Sequence, residues 1–179
     1  MARHLTGKSK FLSYVLRHAP GSIGLALDAN GWARVDELLS KAAGTGMVID
    51  RATLEDIVET SEKKRFTLSA DGTLIRAAQG HSVEVALALD PIEPPETLYH
   101  GTATRFLGLI RAKGLRPGSR QQVHLSADAA TATAVGQRHG KPVVLRVAAG
   151  EMHRQGHAFY RADNGVWLAD SVPPQFLAE

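Results

Sequence analysis

The stretch LRHAP, residues 16–20, sets Arg17 beside His18 at the end of an amphipathic segment, with Pro20 as the stop. KKRF at 63–66 and GSRQQVHLS at 118–126 contribute Arg65 and Arg120, and IRAAQGHS at 75–82 supplies a run of polar side chains. A guanidinium is a planar fork of donors that matches phosphate oxygens two at a time. An imidazole titrates near neutrality and can give or take a proton. Three arginines and a histidine could therefore grip a phosphoryl group and move a proton beside it. A plainer reading stands next to this one. Basic residues suit the negative end of a helix dipole, and proline cannot continue a helix. The 21 Lys and Arg residues must also sit somewhere on the surface.

Other chemistries find little support. There is no cysteine, which removes disulfides, thiolate nucleophiles and Cys-based zinc sites. The eight histidines are scattered and no HExxH occurs, so no metal site is expected. GxGxxG and GxxxxGK[ST] are both absent, so a nucleotide must be held by other means than a Rossmann or P-loop turn.

The elements that must position these residues divide into two halves around LDPIEPPET, 89–97, where Pro91, Pro94 and Pro95 predict a stiff, extended linker. In the first half, Phe11, Leu12, Val15 and Leu16 form one stripe of a helix over about 8–18. Leu25 and Leu27 alternate as in a short strand, Asp36 is placed to cap a helix with Leu38 and Leu39, and Asp50 is placed to cap one with Leu54, Ile57 and Val58. RFTLSADGTLIRA then alternates around an Asp-Gly turn, a hairpin pattern. Helices followed by a two-stranded wing suggest a winged-helix module. In the second half, TLYHGT, VHLS and PVVLRV predict strands, and Gly114 is placed to end a helix carrying Phe106, Leu109 and Ile110. Asp128 is placed to cap an alanine-rich helix, and HAFYRADNGVWLA predicts a hairpin turning at Asn164-Gly165.

The chain has 179 residues, of which 44% are hydrophobic, enough to bury a core in each half, and a formal net charge of +3. A mildly basic balance is compatible with a nucleic-acid or phosphate partner. MARHLTGKSKF has no apolar signal-like region and no apolar run is long enough to span a membrane, so a cytoplasmic protein with no membrane partner is expected.

Taken in order, LRHAP, KKRF, IRAAQGHS, LYHGT, GSRQQVHLS and FYRADNGVWLADSVP closely resemble the RNA 2'-phosphotransferase family, the KptA-type tRNA 2'-phosphotransferases. The resemblance runs across nearly the whole chain. IRAAQGHS, LYHGT, VHLS and NGVWL together are specific, whereas LRHAP or KKRF alone would not be. It implies an α+β protein with an N-terminal winged-helix lobe (1–90, RNA-binding) and a C-terminal lobe of the ADP-ribosyltransferase fold (91–179, NAD-binding). It also implies an NAD-dependent transferase of tRNA processing, acting on 2'-phosphorylated RNA; a monomer is expected, although the residues are silent on oligomeric state. In that reaction the RNA 2'-phosphate attacks C1'' of the nicotinamide ribose of NAD, and nicotinamide leaves. The ribose 2''-hydroxyl then attacks phosphorus, giving RNA with a 2'-OH and ADP-ribose 1'',2''-cyclic phosphate. NAD is consumed as a co-substrate.

Carried over by motif, the catalytic set falls on Arg17, His18, Arg65 and Arg120. On the NAD side the resemblance implies that His100 meets ribose hydroxyls and that Gly101 and Thr102 hold the nicotinamide amide. His124 and Ser126 belong to the same lobe. Val166 stands where many protein-modifying relatives carry a glutamate; a phosphate nucleophile is already anionic and a carboxylate beside it would repel it. Gln79, Gly80, His81 and Ser82 are expected near the RNA phosphates or the NAD pyrophosphate, and Lys64 near an RNA phosphate. Two other readings compete. One is a winged-helix nucleic-acid regulator with a degenerate NAD lobe, against which the complete arginine and histidine set argues. The other is an ADP-ribosyltransferase acting on nucleic-acid terminal phosphates or other acceptors, which shares the first step.

Overall fold

The computed structural model describes residues 2–83, 85, 87 and 89–179, with side chains from residue 5 onward. The chain divides into two compact units, Met1–Ala88 and Leu89–Glu179. Both mix helices with small antiparallel sheets.

The first unit runs α1 (Ala2–Arg17), β1 (Ala33–Arg34), α2 (Val35–Gly44), α3 (Arg51–Thr60), β2 (Phe66–Leu68) and β3 (Leu74–Ala77). The sheet order is β1-β3-β2, antiparallel throughout. Leu12, Val15 and Leu16 of α1 pack with Leu38, Leu54, Ile57 and Ile75 in one core, as their helical and alternating spacings require. Asp50 caps α3 by accepting from the Thr53 amide at 2.7 Å. The β2–β3 hairpin turns at Asp71-Gly72, where Asp71 accepts from the Thr73 amide at 3.0 Å and Gly72 has φ 70°.

Three expectations differ from the structure here. Helix α1 starts at Ala2 and ends at Arg17, so His18 lies just past its last turn. The segment with Leu25 and Leu27 is not a strand. A 3-10 turn, Pro20–Ile23, precedes it, and the strand on the edge of β3 is Ala33–Arg34. Leu25 is buried all the same, so its alternation reports packing without a ladder. Asp36 is not the cap of α2. Arg34 holds the extended cap geometry, and Asp36 sits inside the first turn, accepting from the Glu37 amide and pairing with Arg34 at 2.9 Å.

The second unit runs β4 (Leu98–Ala103), α4 (Leu107–Lys113), β5 (Val123–Leu125), α5 (Ala129–Gln137), β6 (Pro142–Val147), α6 (Ala149–Arg154), β7 (Phe159–Arg161), β8 (Trp167–Ala169) and β9 (Leu177–Ala178). Its strands form two sheets, β4-β6-β9 and β5-β8-β7. A pair of backbone hydrogen bonds ties the two sheets together: Tyr99 N to Ser126 O at 2.9 Å and Ser126 N to Tyr99 O at 2.7 Å. Leu98, Leu125, Leu145, Val147, Met152 and Phe159 fill the core. Asp128 caps α5 by accepting from the Thr131 amide at 2.7 Å, and Gly114, at φ 75°, ends α4. The β7–β8 hairpin turns at Asn164-Gly165, with Gly165 at φ 84°.

Helix α5 lies directly on β4. A Cβ on Gly101 would come within 1.6 Å of the Ala132 carbonyl oxygen, and one on Gly136 within 2.6 Å of the Thr102 carbonyl oxygen. No side chain can occupy either position without moving backbone. The proline-rich segment is not a free spacer. The Ile92 amide donates to Phe159 O at 2.9 Å, Pro94 is buried, and Glu96 pairs with Arg154 at 2.7 Å, so these residues belong to the second unit. No helix of the described residues is long and apolar enough to cross a membrane.

Candidate active site

In the first unit the site begins where α1 stops. Arg17 is half-buried and His18 exposed. The chain returns to this point from β3. The Arg65 carbonyl accepts from the Ala78 amide at 2.9 Å, one step beyond the β2–β3 ladder, which sets Arg65 against the start of 79–82. Residues 79–82 then dock on the helix end. The Ser82 amide donates to the Arg17 carbonyl at 2.9 Å, and Ser82 Oγ lies 2.8 Å from His18 Nδ1. The sheet thus carries Arg65 and the QGHS segment to the same helix end that presents Arg17 and His18. His18 and Arg65 both line an open pocket of about 530 Å³ beside α1 and α3.

The four residues of QGHS behave differently from one another. Gly80 has φ 88°, a left-handed backbone that favours glycine. Ser82 is exposed and touches His18. His81 is buried, with only 3% of its surface exposed. Burial first, then the charges of Arg17, Arg76 and His18, push its pKa down to about 4, so the ring is neutral. Its Nε2 and the Oε1 of Gln79 are buried polar atoms with no hydrogen-bond partner among the described residues. Lys64 is exposed and holds a positive φ of 39° in the turn before β2. Arg76 was not singled out in the sequence, although IRAAQGHS contains it. It lies over the Trp32 ring at 4.6 Å and donates to the Leu87 carbonyl at 3.1 Å.

In the second unit, the Tyr99–Ser126 joint brings His100, one residue on from Tyr99, into contact with His124, two residues before Ser126. His100 Nδ1 lies 3.0 Å from the His124 carbonyl oxygen. A carbonyl only accepts, so the proton is on Nδ1 and Nε2 is left as an acceptor. Burial lowers the His100 pKa, as does the charge of His139, while the bond to the carbonyl opposes them; the balance favours the neutral ring. Arg120 Nη1 donates to His124 Nδ1 at 2.7 Å. A guanidinium only donates, so the His124 proton sits on Nε2. Thr102 is buried on β4, and Gly101 is pinned beneath α5. The register pairs Leu125 with Trp167, so Ser126 and Val166 each lie one residue beyond that pair. His100, Gly101 and Thr102 therefore fall within β4, His124 within the joined β5, and Arg120, Ser126 and Val166 in the segments beside the strands. The neutral His100 Nε2 suits a sugar hydroxyl, which can donate to it. Among the described residues, no group of three or more His, Asp or Glu side chains is arranged to hold a metal ion.

A paired arginine and histidine at a helix end, with a second arginine on the adjoining hairpin, make a phosphate-handling constellation. A family model described as RNA 2'-phosphotransferase, Tpt1 / KptA family, matches residues 3–171. The chain is 66% identical over 172 residues to a probable RNA 2'-phosphotransferase of Agrobacterium fabrum, covering 96% of this chain and 92% of that one. It is 57% identical over 176 residues to one of Pseudomonas aeruginosa strain PAO1, covering 98% and 97%, and 52% identical over 179 residues to one of Acaryochloris marina, covering 100% and 99%. The chain belongs to the RNA 2'-phosphotransferase family.

Proposed function

We propose that this chain is an NAD-dependent RNA 2'-phosphotransferase that removes an internal 2'-phosphate from RNA. Its first unit is read as a winged-helix RNA-binding module, which the order helix, strand, helix, helix, hairpin supports. Its second is read as an NAD-binding module of the ADP-ribosyltransferase type. The observation that carries the proposal is the helix end itself. His18 is held by Ser82 and lines one pocket with Arg65, so a proton carrier and a phosphate ligand face the same space.

NAD enters as a substrate. A phosphate oxygen bonds to C1'' of its nicotinamide ribose as the bond to nicotinamide breaks. The ribose 2''-oxygen then bonds to phosphorus, losing its proton, while the bond from phosphorus to the RNA 2'-oxygen breaks and that oxygen gains a proton. Arg17, Arg65 and Arg120 hold the phosphate oxygens and offset the charge that redistributes among them, as fixed donors do with little reorganisation. His18 takes the proton from the 2''-hydroxyl or gives one to the departing RNA oxygen. His100 accepts from a ribose hydroxyl through Nε2, and Gly101, Thr102, His124, Ser126 and Val166 complete the nucleotide side.

The test is incubation of an oligoribonucleotide carrying one internal 2'-phosphate, with and without NAD and with a chelator, followed by separation of the products. The expected result is 2'-OH RNA and nicotinamide only when NAD is present, at a rate the chelator does not change. Turnover without NAD would refute the proposal. Stable ADP-ribosylation of a terminal phosphate, with no loss of the 2'-phosphate, would favour an ADP-ribosyltransferase instead.

A further inference from the structure

The pocket that His18 and Arg65 line extends well away from them, along a face of α1 that the proposed chemistry does not use. Ser9, Lys10, Ser13 and Tyr14 lie on its wall. Their spacing, 9, 10, 13 and 14, is one face of a helix, opposite the buried stripe of Leu12, Val15 and Leu16. Tyr14 is 54% exposed, a large ring left open to solvent on this wall. Lys10 is exposed too. The described lining contains two permanent cations, Lys10 and Arg65, several hydroxyls and no carboxylate. A site for a cationic or purely apolar ligand would not look like this: the wall offers positive charge, hydrogen-bonding hydroxyls and one aromatic face together.

We propose that this pocket is the subsite for the RNA nucleotide next to the one bearing the 2'-phosphate, with Tyr14 stacking on its base and Lys10 meeting the following backbone phosphate. This rests on the assignment of the 2'-phosphate to His18 and Arg65. Tyr14 is one helical turn from His18, a rise of about 6 Å, and Lys10 is a further turn back. That is the scale of successive nucleotide steps along a strand. The volume of about 530 Å³ admits a nucleoside. Stacking on a tyrosine is tolerant of sequence, and a lysine reads a phosphate as a point charge. The subsite therefore selects for chain extending past the modified nucleotide and not for a particular base.

The test uses the full-length protein and its variants Tyr14→Ala, Tyr14→Phe and Lys10→Ala. Binding is measured by fluorescence anisotropy of a labelled oligoribonucleotide carrying one 2'-phosphate, and KM is measured for that oligonucleotide and for NAD. Tyr14→Ala is expected to weaken oligonucleotide binding and raise its KM by ~10-fold or more, with KM for NAD unchanged. Tyr14→Phe, which keeps the ring, is expected to stay near the parent. Lys10→Ala is expected to flatten the dependence of log affinity on log salt by about one phosphate contact. Unchanged binding in Tyr14→Ala would overturn the subsite, as would an effect confined to KM for NAD, or a Tyr14→Phe variant as weak as Tyr14→Ala. Because anisotropy needs no turnover, the two proposals separate. Tyr14-dependent binding without phosphate removal would sink the proposed function and leave the subsite standing. Phosphate removal with Tyr14-independent binding would do the reverse.

Discussion

His18 Nδ1 and Ser82 Oγ lie 2.8 Å apart, although the two residues are 64 positions apart in the chain. His18 stands just past the last turn of α1, its amide still donating to the Tyr14 carbonyl at 3.0 Å, and its ring meets the serine that the backbone bond between Ser82 and Arg17 brings to the helix end. The ring nitrogen that faces the serine is Nδ1.

Ser82→Ala should therefore leave the imidazole in place but less well aimed. A proton carrier misplaced by a fraction of its reach costs up to ~10²-fold in rate. The expected outcome is a lower kcat with an unchanged KM for NAD, milder than the loss in His18→Ala. A Ser82→Ala enzyme with the parent kcat would show that the hydroxyl positions nothing.

His18→Ala itself should divide the two chemical steps. In the proposed reaction the 2'-phosphate is already a nucleophile, which assigns His18 to the second step. Loss of a general acid or base costs about 10² to 10⁴ in rate, and ADP-ribosylated RNA should accumulate on a gel that resolves substrate, intermediate and 2'-OH product. Nicotinamide release slowed as severely as product formation would place His18 in binding or in the first step instead.

Arg65→Ala and Arg120→Ala should also build up the intermediate, with losses of roughly 10² to 10³ for each donor removed. Arg120 carries an additional signature, because its guanidinium donates to His124 Nδ1. Arg120→Ala should change the Nδ1 chemical shift of the His124 ring in NMR, whereas Arg65→Ala should leave it unaltered.

Two glycine substitutions should move stability in opposite directions. Gly101→Ala drives a methyl into the Ala132 carbonyl and should cost about 1–3 kcal/mol or more, as overpacking does. Gly7→Ala meets nothing within 4 Å on helix α1 and should gain up to ~1 kcal/mol from helix propensity. Urea unfolding of each variant gives both values, and a neutral Gly101→Ala would mean that α5 can lift from β4.

Stability should also fall with acid through His81. Its folded pKa, about 4, lies below the ordinary value of 6.5, so the unfolded chain binds the proton more readily. Above about pH 6.5 the ring is neutral in both states and adds nothing. As pH falls from there toward 4, unfolding gains on the order of 3 kcal/mol, at ~1.4 kcal/mol per unit of difference. The groups whose charges face the ring are Arg17, Arg76 and His18. His81→Gln should flatten the urea midpoint between pH 6.5 and 4, and an equally steep profile in the variant would assign the acid sensitivity to other groups.

Local signals in the sequence are legible where one residue decides the outcome. Asp50 and Asp128 cap helices, Gly114 ends one, and Asp71-Gly72 and Asn164-Gly165 turn hairpins, because each effect acts within a few residues. Leu25 and Leu27 misled because a strand needs a partner as well as an alternation, and the free edge of β3 is taken by Ala33 and Arg34. Asp36 misled because Arg34 draws its carboxylate inside the turn. At the site, residue types were legible and contacts were not. Nothing local tells that Ser82 reaches His18, that the neighbouring His81 is buried, or that Gly101 is held under a helix. The polar face of α1 carried a readable period, yet the opposite apolar stripe drew attention away from Tyr14.

Residues 82 and 83 return their amides to the Arg17 carbonyl. A ribosome delivers the N-terminal end first, so Arg17 and His18 are made well before Ser82 and Val83. They acquire their final setting only when nearly all of the first unit has emerged. A nascent chain arrested before Ser82 lacks the bonds that Ser82 and Val83 give the Arg17 carbonyl. The setting of this helix end is therefore a late product of the first unit's folding, however early its residues are joined.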